Sequence, residues 1–153
     1  MWRPFEFFAG SWKGRGGGQP GMGDYERTYE FVMGSKFLFV RNKSIYLPQE
    51  LNPAGETHED WGFISYDKGR DRFVYRQFHQ EGFVNQYVLD WHTPDFKEFS
   101  FISENIENIQ PGWCAKESYQ VLSPVEFIET FELAAPGKEF ELYTQCHLRK
   151  RGP

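Results

Sequence analysis

The chain has 153 residues, 39% hydrophobic and 19% aromatic, with a formal net charge of −5. That length fits one domain spanning residues 1–153, with enough buried surface to fold without disulfides or a structural metal. The interspersed, slightly acidic charge excludes sequence-independent binding to nucleic acid or to an anionic membrane surface, and no run nears the roughly 18 apolar residues of a spanning helix. Cys114 and Cys146 form no C-x-x-C pair, so neither zinc binding nor thiol catalysis is expected of them. With no leader segment before Arg3-Pro4, the expected setting is soluble, reducing and cytoplasmic.

In chain order, residues 3–9 predict one short helical turn that closes a barrel end. Gly10-Ser11-Trp12 follows, a turn glycine and then a ring large enough to plug that end. The alternate glycines Gly14, Gly16 and Gly18 suit a strand that bends sharply or that another backbone approaches closely. They open no helix and contain no Gly-Lys-Ser/Thr, so a phosphate loop is rejected. From there period-two alternation predicts strands near 11–18, 24–33, 37–46, 58–66, 72–80, 83–91, 96–105, 113–122, 125–134 and 139–151. Turn chemistry separates them, as at Met33-Gly34-Ser35-Lys36, Gln80-Glu81-Gly82 and Ala135-Pro136-Gly137-Lys138. The longest gap, Pro48 to Thr57, reads as either a cavity lid or an idle loop. Ten short strands joined by tight turns form an antiparallel meander, and closing it removes both edges. The predicted fold is therefore all-β: a closed antiparallel up-and-down β-barrel of about ten strands, wide enough for one small ligand.

Several segments resemble nitrobindin, a ten-stranded haem-binding barrel related to lipocalins and fatty-acid-binding proteins. Gly10-Ser11-Trp12-Lys13-Gly14-Arg15-Gly16-Gly17-Gly18 is similar to the family's opening. Tyr25 to Phe31 with Gly34 to Leu38, His58-Glu59-Asp60-Trp61-Gly62-Phe63-Ile64, Gly82-Phe83-Val84 and the last two strands add to the likeness. The resemblance implies a haem held by a histidine of the last strand. An ungapped count puts Tyr143 at that position, with His147 four residues on, so Tyr143 would be the axial ligand if haem is bound. No cofactor is the expected state.

On the last strand Tyr143, Gln145 and His147 share one face, and Phe140, Leu142, Thr144, Cys146 and Leu148 the other. Hydrophobicity turns the even face inward, the resemblance turns the odd face inward, and a bulge would change the answer. Arg27 lies on an aromatic face with Tyr25, Tyr29 and Phe31. If it points inward it needs Glu117, Glu129 or an anionic ligand as partner; Arg41 raises the same question. Phe73, Tyr75, Phe83, Tyr87, Phe99, Phe101, Tyr119, Phe127 and Phe131 either line a cavity or fill a core. His58, His79 and His92 have no i,i+2 His or Cys partner on a common strand, so each reads as a wall or surface side chain with one hydrogen bond, and no metal site is expected.

The function expected from these residues is non-catalytic binding of a small hydrophobic or amphiphilic molecule, with Arg27, Tyr29, Arg41, Tyr75, His79, Tyr87, Tyr119, Tyr143 and His147 as candidate ligand-binding residues. The first alternative is a ferric haem protein acting on nitric oxide or peroxynitrite. The second is an enzyme acting on a small hydrophobic substrate, with His79 or Tyr143 as acid or base. The partner set contains the small molecule, leaves a homodimer open, and includes neither nucleic acid nor membrane insertion.

Overall fold

The computed structural model describes residues 1–152. One helical turn, α1 (Arg3–Glu6), precedes ten strands: β1 (Gly10–Gly18), β2 (Gly23–Val32), β3 (Phe37–Tyr46), β4 (Glu56–Asp67), β5 (Arg72–His79), β6 (Val84–His92), β7 (Glu98–Glu107), β8 (Cys114–Ser123), β9 (Glu126–Ala134) and β10 (Glu141–Lys150). Each strand pairs antiparallel with its sequence neighbours, and β1 pairs with β10 to close the barrel. The ten predicted segments and the helical turn are all present. No helix among the described residues is long and apolar enough to cross a membrane.

The inward residues form layers. At one end Pro4 sits in the first turn of α1, whose Phe5 and following Phe8 drive into the barrel. Phe5 packs edge-on against Phe73 and Phe99, and Phe8 against Phe127 and Tyr119. Trp12 is fully buried there, its indole N–H donating to the Phe8 carbonyl at 2.8 Å. A buried indole satisfied by the backbone of the plug it supports explains why the helical turn sits where it does. Halfway along, the buried side chains turn polar: Arg27, Asn42, Asp60, Gln77, Asn85, Glu117 and Glu129. Above this belt the barrel is open.

Closure depends on β1. A Cβ at Gly14 would overlap the carbonyl oxygen of His147, and one at Gly16 the carbonyl oxygen of Gln145. These glycines let the backbone of β10 lie close against β1, which is the second of the two roles the sequence allowed. On β10 the pairing with β9 slips between Leu142 and Thr144, leaving Tyr143 as the extra residue of a bulge. The even face is the inner one, with Cys146 and Leu148 buried.

Candidate functional site

The open end holds a cavity of about 360 Å³, at the lower end of the usual range for small-molecule sites. One wall is apolar: Phe83, Ile106, Ile109, Trp113, Phe131 and Leu133, from the residue just before β6, from β7 and β9, and from the segment before β8. The other wall and the floor are polar, built from Arg27, Asn42, Asp60, Gln77, Asn85, Glu117 and Glu129, with His58, His79, Glu81, Glu56 and Tyr143 nearer the rim.

Arg27 points inward and has a protein partner. Its Nε and Nη2 donate to the two Glu129 carboxylate oxygens, each at 3.0 Å. This is the bidentate fork that suits a buried guanidinium. Burial acts to lower the Arg27 pKa, and the Glu129 carboxylate outweighs it, so the guanidinium is held well above its usual value. The alternative of an anionic ligand as partner is thereby removed.

Glu117 is the odd group in the belt. Its Oε2 is shielded and makes no hydrogen bond within the protein, as is true of Asn42 Oδ1 and Asn85 Oδ1. Burial first, and then the Glu129 carboxylate, push its carboxyl well above the usual range and favour its neutral form. A second network runs from Asn85, which donates to the Tyr87 hydroxyl at 2.9 Å, to Gln77, which accepts from that hydroxyl at 3.0 Å. Gln77 and Asn42 both donate to Asp60 Oδ1, at 2.7 and 2.8 Å.

At the rim His58 reaches three side chains. Its Nδ1 lies 2.8 Å from Glu81 Oε2, and its Nε2 lies 3.2 Å from Asp60 Oδ2 and 3.4 Å from His79 Nδ1. Burial opposes protonation of His58, but the hydrogen bonds to Asp60 and Glu81 outweigh it and raise its pKa to about 9. For His79 burial prevails and the pKa is lowered. The expectation of isolated histidines with one hydrogen bond each is corrected here for this pair. Partners were sought along single strands, whereas pairing Asp60 of β4 opposite His79 of β5 brings the groups together across the sheet.

Of the nine candidate residues, Arg27, His79 and Tyr143 line the cavity. Tyr143 is there because the bulge turns it to the mouth beside Thr144. Tyr29, Tyr75, Tyr87 and Tyr119 are buried in the filled part of the barrel, Tyr75 stacked on Tyr87 and Tyr119 on Phe99. Arg41 and His147 are on the outer wall and are corrected: Arg41 lies over the Phe39 ring, and His147 Nε2 is 2.7 Å from Glu126. Parity decides both, since their neighbours Val40, Asn42, Cys146 and Leu148 are the buried ones. The aromatic set likewise divides: Phe83 and Phe131 line the cavity, while Phe99, Phe101 and Phe127 fill the core. Asp60, Gln77, Asn42, Asn85 and Glu81 were missed as site residues. The signal for the first four was a polar residue at inward parity on a strand; Glu81, in the turn between β5 and β6, had none. The Pro48–Thr57 gap is not an idle loop. The Gln49 amide bonds Met22 N and O, each at 2.8 Å, and Asn52 donates to the Pro20 carbonyl, so the loop clasps the β1–β2 turn.

The position that the resemblance assigns to the axial ligand is Tyr143, which lies at the cavity mouth with its phenol pKa raised by burial and then by Glu56 and Glu81. The histidine nearest on that strand faces outward.

No protein-family model matches the chain. No curated protein matches it either. Among solved structures it is similar to the crystal structure of Rv2717c from M. tuberculosis, with a TM-score of 0.72 and 15% sequence identity over 99% of this chain and 97% of that one. A de novo designed fluorescence-activating β-barrel aligns with a TM-score of 0.45 at 15% identity, covering 95% of each chain. The likeness is one of fold.

Proposed function

We propose that this protein binds a small amphiphilic molecule in the open end of its barrel, without chemistry of its own. The observation that carries this reading is the two-sided lining of the cavity. An apolar body packs on Phe83, Ile106, Trp113, Phe131 and Leu133, and a polar head reaches the floor. Head-group preference follows from charge. The inner cations are already committed, Arg27 to Glu129 and His58 to Asp60 and Glu81. The lining carries the carboxylates Glu56, Asp60, Glu81 and Glu129 against the cations Arg27 and His58. An anionic head finds no free donor cation and meets an excess of carboxylates; a cationic or neutral donor is favoured. The floor's unspent acceptor capacity on Asn42 and Asn85 points the same way. The resemblance to nitrobindin supports the ligand-holding barrel in this reading, which calls for no haem.

The test is calorimetry with decylamine, decanol and decanoate, each below its micellar concentration, at pH 7 with a chelator present. Decylamine is expected to bind tightest and decanoate weakest, the two differing about tenfold, or roughly 1.4 kcal/mol. Saturable binding of none of the three, or tightest binding of decanoate, overturns the reading. Trp113→Phe reports location, because fluorescence quenching by the ligand should disappear while the calorimetric heat remains.

A further inference from the structure

The rim cluster has a geometry that hydrogen bonding alone does not require. One nitrogen each of His58 and His79 and one carboxylate oxygen of Glu81 lie within 4.8 Å of one another. All three side chains line the cavity. They come from three places in the chain, yet the frame beneath them is fixed. His58 and His79 stand on the paired strands β4 and β5. Glu81 sits in the hairpin turn, which is fastened by Gln80 N–H to the Glu59 carbonyl at 3.0 Å and His79 N–H to the Phe83 carbonyl at 2.9 Å. Ligands carried on strands and a pinned turn hold their positions better than ligands on a free loop.

We propose that His58, His79 and Glu81 form a binding site for a divalent transition-metal ion of the zinc type at the mouth of the cavity. Two imidazoles and one carboxylate are the donor set of such ions, while magnesium and calcium take oxygen ligands. Three protein ligands leave a fourth position, and here it faces the cavity, where water or a donor atom of a bound molecule completes the shell. The surroundings contain the orienting contact that metal-binding histidines have. Asp60 takes the Nε2 side of His58, leaving Nδ1 toward Glu81, and Asp60 is itself held by Asn42 and Gln77. A carboxylate behind a ligating imidazole fixes its orientation and raises its basicity. Asp60 is thus a positioning residue and not a ligand.

The test uses the whole chain, stripped with a chelator and then dialysed, and titrated with zinc chloride by calorimetry and with cobalt chloride by visible absorption. Excess magnesium is present, and no amphiphile. The expected result is saturable binding of one ion per chain, with cobalt giving the intense visible bands of a low-coordinate site. His79→Gln and Glu81→Gln should each weaken binding at least about tenfold, and Asp60→Asn about 10- to 100-fold. Near-UV circular dichroism confirms that each variant is folded. His92→Gln and His147→Gln, which alter the remaining histidines, should change nothing. Absence of saturable binding overturns the proposal, as does zinc affinity unchanged in folded His79→Gln or lost in His147→Gln. Because amphiphile binding is measured with chelator present, failure of either reading is distinguishable from failure of the other.

Discussion

At the level of single residues, the belt across the barrel is where energy is most unevenly distributed. Glu117 has its pKa raised above its ordinary 4.5 by burial. Below pH 4.5 both folded and unfolded chains hold that proton. Above it the unfolded chain releases the proton and the folded one keeps it, so stability falls as pH rises. Glu117→Gln removes this term. Urea midpoints at pH 4.5 and 8 should show the variant gaining on the parent at the higher pH; parallel curves would mean that Glu117 is ionised in the fold. The Arg27–Glu129 pair gives a second case. Arg27→Met leaves a buried carboxylate alone and should cost about 3–5 kcal/mol, and adding Glu129→Leu should restore most of it. The dilemma of Arg27 was legible in the sequence, down to its two candidate carboxylates. The choice of Glu129 was not, since the partners are 102 residues apart and meet only through barrel closure. The histidine cluster escaped the sequence for a more local reason: His58 and His79 meet across the β4–β5 pairing, and the partner that His58 has along its own strand is a carboxylate, Asp60.

Strands were the most legible elements, because alternation and turn residues are local. All ten predicted segments are present, and their ends differ from the structure by a few residues. What alternation could not give was the inner face of β10. Hydrophobicity pointed one way there and resemblance the other, and the bulge at Tyr143 satisfies part of both by turning Tyr143 and Thr144 together toward the mouth. The glycines of β1 were read from spacing as either a sharp bend or a close approach, and the overlap a Cβ would have with His147 selects the second. Gly14→Val should therefore cost roughly 3 kcal/mol or more, beyond what lost strand propensity would suggest. Denaturant unfolding measures it. A loss below about 1 kcal/mol would mean that β10 can move aside without cost.

For the molecule as a whole, the two ends of the barrel have different tasks. The closed end is packed aromatic residues with α1 as the plug; the open end carries the polar rim. Trp12 links the plug to the wall, and Trp12→Ala should cost roughly 3–5 kcal/mol through the cavity it leaves. A cation lies over its indole: Lys150, with Nζ 5.6 Å from the ring. Register selects it, since Trp12 pairs with Lys150, while Arg149 faces outward to Glu126. Lys150→Met should therefore cost only about 0.5–1 kcal/mol, and a urea midpoint near that of Trp12→Ala would show that the cation, not the burial, anchors the plug.

The pairing of β1 with β10 also decides how this barrel responds to force. The two strands run antiparallel, and Trp12 opposite Lys150 marks the end from which both termini leave. Tension applied between the termini would first draw α1 out of the closed end. It would then open the seam from the Trp12 end, one hydrogen-bonded pair at a time toward Gly18 and Thr144, instead of shearing all of them together. The chain should thus be mechanically soft along this axis whatever its thermal stability. The first product would be an uncurled ten-stranded sheet that still holds β4, β5 and the rim histidines in register.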